Sequence, residues 1–118
     1  MKPNKRDKGK IGEDIAVEFL KKKGYRILER NFRFERGEID IIAEYAGALI
    51  FVEVKARRSI SFGTPHEAVT AQKQLQIRKI ADGYIFSHEI DDTACRFDII
   101  AIRYAGKNID IQHFENAF

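Results

Sequence analysis

Acidic side chains alternate with apolar ones in two short segments of this sequence. In the first segment Ile39 separates Glu38 from Asp40, and in the second Val54 separates Glu53 from Lys55. Because side chains two residues apart share one face of a strand, each segment would present its charged pair on a single face. Carboxylates gathered in this way can hold a divalent cation, so these residues are candidates for a metal-assisted reaction.

The two segments are expected to form a hairpin that reverses at Ala46-Gly47. Asp40 then lies opposite Glu53, and Glu38 lies opposite Lys55, with opposed Cβ atoms about 5 Å apart. Two opposed carboxylates repel unless a cation or a proton lies between them, and Lys55 neutralises part of the charge. The apolar neighbours are expected to pack together on the other face: Ile39, Ile41, Val52 and Val54.

A solvated sheet face with glutamate–lysine pairs is the alternative interpretation of this hairpin, since antiparallel sheets commonly expose one face. Residues 41–43 (IIA) and 49–52 (LIFV) favour a sheet that is covered on both faces instead. Acids on a covered sheet need a metal ion, an ion pair or a cleft. The pattern therefore favours a functional interpretation of the four charged residues.

Apolar periodicity and turn residues predict two helices and five strands around this hairpin. The elements expected are a helix over 9–23 that stops at Gly24, strands over 25–34, 38–44 and 49–55, a helix over 65–86, and strands over 94–104 and 108–114. Residues 64–67 (TPHE) have the pattern of a capping box with proline at the first helical position. Thr70 is a second candidate N-cap, which predicts a short helical turn before the main helix.

The chain has the size and composition of one globular domain. Its 118 residues are 44% hydrophobic and 33% charged, which excludes disordered and fibrous proteins. We predict an α/β fold with a central mixed sheet flanked by helices over residues 9–118, preceded by a flexible basic tail over 1–8. The long second helix is expected to carry the chain to a fourth strand parallel to the third.

Charge is distributed unevenly along the chain. Residues 1–36 carry twelve lysines and arginines against six acids, whereas residues 37–118 carry nine against twelve. A basic first third suggests a polyanion such as nucleic acid, and a solvated helix face with a solubilising tail is the alternative. The sequence shows no signal peptide and no membrane span, and Cys95 has no partner for an internal disulfide, so we expect a cytoplasmic protein.

The acidic residues also carry a resemblance to known proteins. Asp40 followed by Glu53-Val54-Lys55, on two strands after a helix that bears Glu13, resembles the PD-(D/E)XK nuclease superfamily and is similar to archaeal Holliday-junction resolvases. Nearly the whole chain resembles the YraN-like family of uncharacterised bacterial proteins. The segments that carry this second resemblance are 37–43 (GEIDIIA), 51–55 (FVEVK), 62–65 (FGTP), 67–70 (EAVT) and 96–98 (RFD).

The resemblance implies a restriction-endonuclease-like α-β-β-β-α-β core with an extra C-terminal strand, and a catalytic site. Asp40, Glu53 and the Val54 carbonyl would bind weakly held Mg²⁺ or Mn²⁺, and Lys55 would orient or deprotonate the attacking water or stabilise developing charge. Glu13 would bind the cation through water or help to hold a second cation. The alternative for Glu13 is an acid in the first helical turn, stabilised by the helix dipole.

Further residues are weaker candidates. Glu38 is expected to pair with Lys55, and Gln72 to reach the site from the second helix unless that helix face is simply exposed. Asp98 is expected to have a structural role, pairing with Arg96, Arg103 or the site lysine. The histidines and Cys95 lack the spacing of zinc ligands. Expected contacts to a nucleic-acid backbone come from basic residues: Arg57, Arg58, Lys21, Lys22 and Lys73.

The functional prediction is therefore a metal-dependent endonuclease that acts on DNA, with branched or structured DNA as a candidate substrate. The alternative is a non-catalytic nucleic-acid-binding module of the same fold that acts with a protein partner. A homodimer is expected from the two-fold symmetry of branched substrates and from the exposed-looking Phe114 and Phe118 near a sheet edge. A monomer whose carboxyl tail folds back over its own core is the alternative.

Overall fold

The computed structural model describes residues 5–57 and 65–118, with side chains described for 10–57 and 67–118. The elements within these residues are α1 (Lys5–Lys22), β1 (Arg26–Phe34), β2 (Gly37–Tyr45), β3 (Ala48–Arg57), α2 (Pro65–Ala68), α3 (Ala71–Ser87), β4 (Ala94–Ala105) and β5 (Asn108–Phe114). The predicted order of helices and strands is confirmed.

The five strands form one mixed sheet whose spatial order follows the chain order. β1, β2 and β3 make an antiparallel meander, β4 lies parallel to β3, and β5 returns antiparallel along β4. The segment with α2 and α3 supplies the crossover that a parallel pair requires. The predicted α/β fold is therefore confirmed, and its element order is consistent with a restriction-endonuclease-like core followed by an extra strand.

Each face of the sheet is covered by one long helix. The cluster under α1 contains Ala16, Leu20, Ile41, Ala43, Ile50, Val52, Ile100 and Ile102. The cluster under α3 contains Ile39, Ile42, Phe51, Ile77, Ile80, Tyr84, Phe97 and Ile99. Alternating side chains of the central strands thus enter two separate apolar layers, as expected for a sheet that is covered on both faces.

Both ends of α1 can be traced to local sequence. The helix begins at Lys5 rather than near Gly9, so residues 5–8 of the predicted tail are helical; the Lys, Arg and Asp side chains there do not oppose a helix. Gly24, with a φ of 92°, ends it. The Gly24 N–H donates to the Lys21 carbonyl and the Tyr25 N–H to the Leu20 carbonyl, each at 3.0 Å, which satisfies the last turn.

Thr70 separates the two helices of the crossover. Its Oγ1 accepts a hydrogen bond of 3.2 Å from the Lys73 N–H, which caps α3. The prediction of a short helical turn before the main helix is confirmed by α2. The predicted cap at Thr64 lies outside the described residues.

The carboxyl end folds back onto the α3 face of the sheet. The Ala117 N–H donates to the Phe97 carbonyl at 2.7 Å, and the Phe118 ring stacks on the Phe97 ring with centroids 5.3 Å apart. Phe114 packs against the same cluster. The expectation that Phe114 and Phe118 are exposed apolar residues is therefore wrong, because the chain turns after β5 and buries them against its own core.

Among the helices of the described residues, none is both long enough and apolar enough to cross a membrane.

Candidate active site

The β2–β3 hairpin has the predicted register where its residues pair, and the predicted pairs of Asp40 with Glu53 and of Glu38 with Lys55 lie beyond this ladder. Ile41 pairs with Val52, and the ladder continues to Tyr45 opposite Ala48. One residue before Ile41, Asp40 Oδ2 accepts a hydrogen bond of 2.8 Å from the Val54 N–H. This bond fixes the Asp40 carboxylate beside the segment that carries Glu53.

The direction of the Val54 N–H also determines the side of β3 to which the Val54 carbonyl oxygen points. In a strand, the N–H and C=O of one residue point to the same side. Because the Val54 N–H points to Asp40, its carbonyl oxygen is directed to the β2 side as well. The Val54 carbonyl oxygen and the Asp40 carboxylate therefore lie on the same side of β3.

The two faces of β2 exchange at Asp40, which the sequence pattern did not predict. Ile41 lies in the apolar cluster under α1, whereas Ile39 lies in the cluster under α3. The expectation that these two residues share a face is therefore wrong. In the neighbouring strand, Asn31 lies between the partners of Ile41 and Ile39 and has a φ of 54°. This left-handed residue reverses the alternation of β1, and β2 reverses with it.

Asp40 consequently lies between the two layers, where acids from both can reach it. Glu53 alternates with Val52 and Val54, which belong to the α1 side, so the Glu53 side chain lies on the α3 side. Glu13 approaches from α1, and its charge raises the pKa of Asp40. The acids thus approach one another where the faces of β2 exchange, and not on one flat sheet face.

Burial and mutual repulsion dominate the electrostatics of this acidic group. Burial, followed by the charge of Glu53, raises the pKa of Asp40 to about 7. Burial also raises the pKa of Glu53, which is 8% exposed, although the charges of Lys73 and Lys55 oppose the shift. The Lys55 Nζ lies 3.6 Å from Glu53 Oε1. These neighbouring lysines therefore offset the repulsion only in part.

Glu13 is held by two donors from the bend in β1. Its Oε1 accepts hydrogen bonds from Arg30 Nε at 3.0 Å and from Asn31 Nδ2 at 2.9 Å, and the residue is 7% exposed. Because α1 begins at Lys5, Glu13 lies in the middle of the helix. The alternative in which the dipole of the first turn stabilises Glu13 is therefore wrong. Arg30 and Asn31 were not among the residues predicted from the sequence; the tolerance of asparagine for positive φ was the available signal.

Glu38 does not pair with Lys55 as expected. Its Oε2 lies 3.2 Å from Arg33 Nε, a cross-strand pair between β1 and β2. The bend at Asp40 explains the change, because it breaks the alternation that would align Glu38 with Asp40. Glu38 still raises the pKa values of both Asp40 and Glu53 by its charge.

The remaining predicted residues lie at different distances from the acids. Lys73, in the first turn of α3, acts on Glu53 through its charge, whereas its neighbour Gln72 is exposed. Arg57 ends β3, and Arg58 lies outside the described residues. Lys21 and Lys22 lie near the end of α1, with Lys21 about 12 Å along the helix axis from Glu13.

The donor set fits a weakly held hard cation. Asp40, Glu53 and the Val54 carbonyl offer oxygen ligands, and burial, with mutual repulsion at Asp40, raises the pKa values of the two carboxylates. In the described part of the chain, no three His, Cys, Asp or Glu side chains lie close enough together to hold an ion. A cation held by Asp40, Glu53 and the Val54 carbonyl would have water in its other coordination positions. Glu13 would then act through one of these waters rather than as a direct ligand.

A second buried carboxylate, Asp98, lies on the other side of β3. Asp98 is fully buried, and its oxygens accept from Arg96 Nε and Nη2 at 2.9 and 2.8 Å, from His113 Nε2 at 2.7 Å and from the Asn116 N–H at 2.9 Å. The expected pairing with Arg96 is present, while Arg103 pairs with Asp110 at 2.8 Å. His113 was missed because it is distant in sequence and carries no motif.

The fold and this site define an α/β protein with two neighbouring acids, one buried and one half-buried, and a lysine on its central hairpin. The model of the uncharacterised protein family UPF0102 matches residues 12–102, and the chain belongs to this family. The predicted YraN-like membership is thereby confirmed.

Relatives and one solved structure extend this comparison. The UPF0102 protein of Alkaliphilus oremlandii is 51% identical over 112 residues, which cover 93% of this chain and 96% of the relative. That of Caldicellulosiruptor saccharolyticus is 46% identical over 117 residues, covering 98% and 99%. The solved structure of Pyrococcus furiosus SfsA in complex with Ca²⁺ is similar with a TM-score of 0.37 and 15% identity over 95% of this chain, which spans 64% of that structure.

Proposed function

We propose that this protein is a metal-dependent endonuclease that hydrolyses phosphodiester bonds in DNA, in the cytoplasm. One observation carries the proposal: the half-buried Asp40 lies close enough to the buried Glu53 for their charges to interact, both pKa values are raised, and Lys55 lies against Glu53. Acids whose charges interact in a shielded environment favour a cation between them. A lysine at the same point suits a reaction in which negative charge develops.

Mg²⁺ or Mn²⁺ is the cofactor that these oxygen ligands suit. Asp40, Glu53 and the Val54 carbonyl would hold it, and it would lower the pKa of a bound water and polarise a phosphoryl oxygen. Arg30 and Asn31 occupy Glu13 Oε1, which leaves Oε2 to orient water in the site. Binding is expected to be weak, because few protein ligands are present.

Lys55 and the residues around it would do the remaining work. The Lys55 ammonium would orient the attacking water, accept its proton or stabilise charge on the phosphate. Lys73 is close enough to act on Glu53 by its charge and would contact the same phosphate. Glu38 would tune the charge of the acidic pair, and Gln72 would reach the substrate from the start of α3. Arg57, Arg58, Lys21 and Lys22 would contact the nucleic-acid backbone.

Cleavage assays test the proposal directly. Linear, flapped and four-way DNA would be incubated with Mg²⁺ or Mn²⁺ and either wild-type protein, Asp40→Asn or Glu53→Gln. We expect cleavage by the wild type, strongest on structured substrates, and its loss in both variants. Variants as active as the wild type would show that other residues, or a contaminant, perform the cleavage.

A homodimer remains part of the proposal, with β5 as the available surface. β5 is an edge strand of the sheet, and its Ile109 is half exposed. The aromatic residues of the tail no longer support a dimer, because they pack onto the protein's own core. Light scattering over a tenfold concentration range, with and without DNA, tests it: a constant mass of one chain would refute the dimer and favour nicking or activity with a protein partner.

A further inference from the structure

An open groove of about 610 Å³ lies between the second half of α1 and the first half of β1. Its apolar floor includes Val17 and Ile27, and its basic side chains are Lys21, Arg26 and Arg30. The described residues that line it include no acid. The groove therefore has basic side chains on an apolar base, and each of them pairs with an acid outside the lining; Arg30 pairs with both Glu13 and Asp14.

Two basic side chains of the groove, Lys21 and Arg26, can exchange their present carboxylate partners for a phosphate. Lys21 pairs with Glu18 at 3.8 Å, and Arg26 pairs with Glu44 at 3.2 Å. The Lys21 side chain is 56% exposed and that of Arg26 is 70% exposed, so each ion pair is weak in water. A phosphate could replace either carboxylate at little cost, and it would release counterions from the nucleic acid.

Arg30 connects this groove to the candidate active site. It lines the groove, and its Nε also donates to Glu13 Oε1. Lys21 lies eight residues beyond Glu13 on α1, about 12 Å along the axis. That length corresponds to roughly three to four nucleotides of one duplex strand. The groove therefore extends away from the acids on a scale that suits a short piece of backbone.

We propose that this groove binds the phosphate backbone of the nucleic-acid strand on one side of the cleavage site, through Lys21 and Arg26. This inference rests on the proposed function. Recognition here is independent of sequence, because the groove offers exposed cations. Its aromatic residue, Tyr25, is buried and engaged by Arg96 and Glu115, so it is not free to stack on a base.

The test compares two double variants by fluorescence anisotropy with labelled duplex and four-way DNA. The protein is kept in EDTA so that binding is measured without cleavage. Lys21→Gln/Arg26→Gln removes two groove cations. The matched control, Lys79→Gln/Lys107→Gln, removes two cations outside the groove; Lys79 also belongs to an exposed ion pair, with Glu35 at 3.0 Å. Thermal melting confirms that all the proteins are folded.

We expect the groove variant to bind both DNAs more weakly, on the order of tenfold, with a slope of log Kd against log salt reduced by about two. The control is expected to change each value by less than half as much. Equal effects of the two variants, wild-type affinity of the groove variant, or no DNA binding by the wild type would overturn the inference.

A separate arm distinguishes failure of the groove from failure of the proposed function. Wild-type protein that binds DNA through the groove but cleaves nothing with Mg²⁺ or Mn²⁺ would refute the nuclease and retain the groove. Metal-dependent cleavage with unchanged affinity of Lys21→Gln/Arg26→Gln would refute the groove and retain the nuclease.

Discussion

Asp40 and Asp98 are aspartates on the two strands that flank β3, and their surroundings are opposite. Asp40 accepts from the Val54 N–H, next to Glu53, whereas Asp98 lies beside Val52 in the β3–β4 register. Acidic neighbours add to the effect of burial on Asp40 and raise its pKa to about 7. Burial alone would raise the pKa of Asp98, but hydrogen bonds from His113, Arg96 and the Asn116 N–H lower it below its ordinary value.

Both carboxylate oxygens of Asp98 accept hydrogen bonds from protein donors. Lys23 Nζ lies 2.7 Å from His113 Nδ1, and since an ammonium can only donate, Nδ1 accepts and Nε2–H donates to Asp98. Arg96 Nη2 also donates to the Tyr25 hydroxyl at 2.6 Å. The network joins the end of α1 to β4, β5 and the carboxyl tail. Asp98 has four hydrogen bonds that stabilise the fold, whereas Asp40 has one donor and acidic neighbours, and Asp40 is the aspartate for which we propose a cation.

The largest expected effect is on cleavage by the acidic pair. Asp40→Asn or Glu53→Gln should lower the cleavage rate with Mn²⁺ on the order of a thousandfold, because each change removes a charged ligand. Asp98→Asn, measured at a temperature where it is folded, should keep cleavage within about fivefold of the wild type, since removing structural hydrogen bonds leaves the ligands in place. Single-turnover rates provide the measurement. A thousandfold loss in Asp98→Asn would end the contrast between the two aspartates.

For stability the order is reversed: the Asp98 variant should lose more free energy of unfolding than the Asp40 variant. Asp98→Asn should lower the free energy of unfolding by about 3 kcal/mol, because Arg96 and His113 lose a buried anionic partner. Asp40→Asn should not destabilise the metal-free protein, since it removes an underpaired buried charge and retains an acceptor for the Val54 N–H. Urea unfolding in EDTA measures both. A loss of less than about 1 kcal/mol in Asp98→Asn would contradict the structural role.

The pH dependence of stability should reveal Asp40 separately. Its folded pKa of about 7 exceeds the ordinary value of 3.8, so the folded state retains a proton that the unfolded state has released. Stability in EDTA should therefore fall as the pH rises through this interval, by about 2–3 kcal/mol between about pH 5 and pH 8. Asp40→Asn should lack this component. Identical pH profiles for the two proteins would show that Asp40 ionises normally.

The smallest expected effect concerns the bend that positions Glu13. Asn31→Gly keeps a residue that tolerates positive φ but removes the Nδ2 donor to Glu13. We expect cleavage to fall about tenfold, as for other residues that orient a site, with a change in stability below about 1 kcal/mol. Asn31→Asp, which places an acceptor against Glu13, should be worse. Wild-type rates in both variants would assign Asn31 to backbone geometry alone.

The sequence by itself determined the element order, the hairpin register and the central acidic residues. These features depend on local alternation, turn residues and caps: Gly24 ends α1, Thr70 begins α3, and the Ala46-Gly47 reversal sets the pairing of Ile41 with Val52. Family membership followed from short motifs on the same segments. Such signals lie within a few residues of the structure that they specify, so they can be read without the fold.

Tertiary structure decided which charges meet. The left-handed Asn31 moves Ile39 to the opposite face from Ile41 and places Asp40 between α1 and α3, a reversal that the period of two does not encode. Arg30 reaches Glu13, and His113 reaches Asp98, across separations in sequence that leave no periodic trace. The number of donors around a buried carboxylate is a property of packing, and that number separates Asp40 from Asp98.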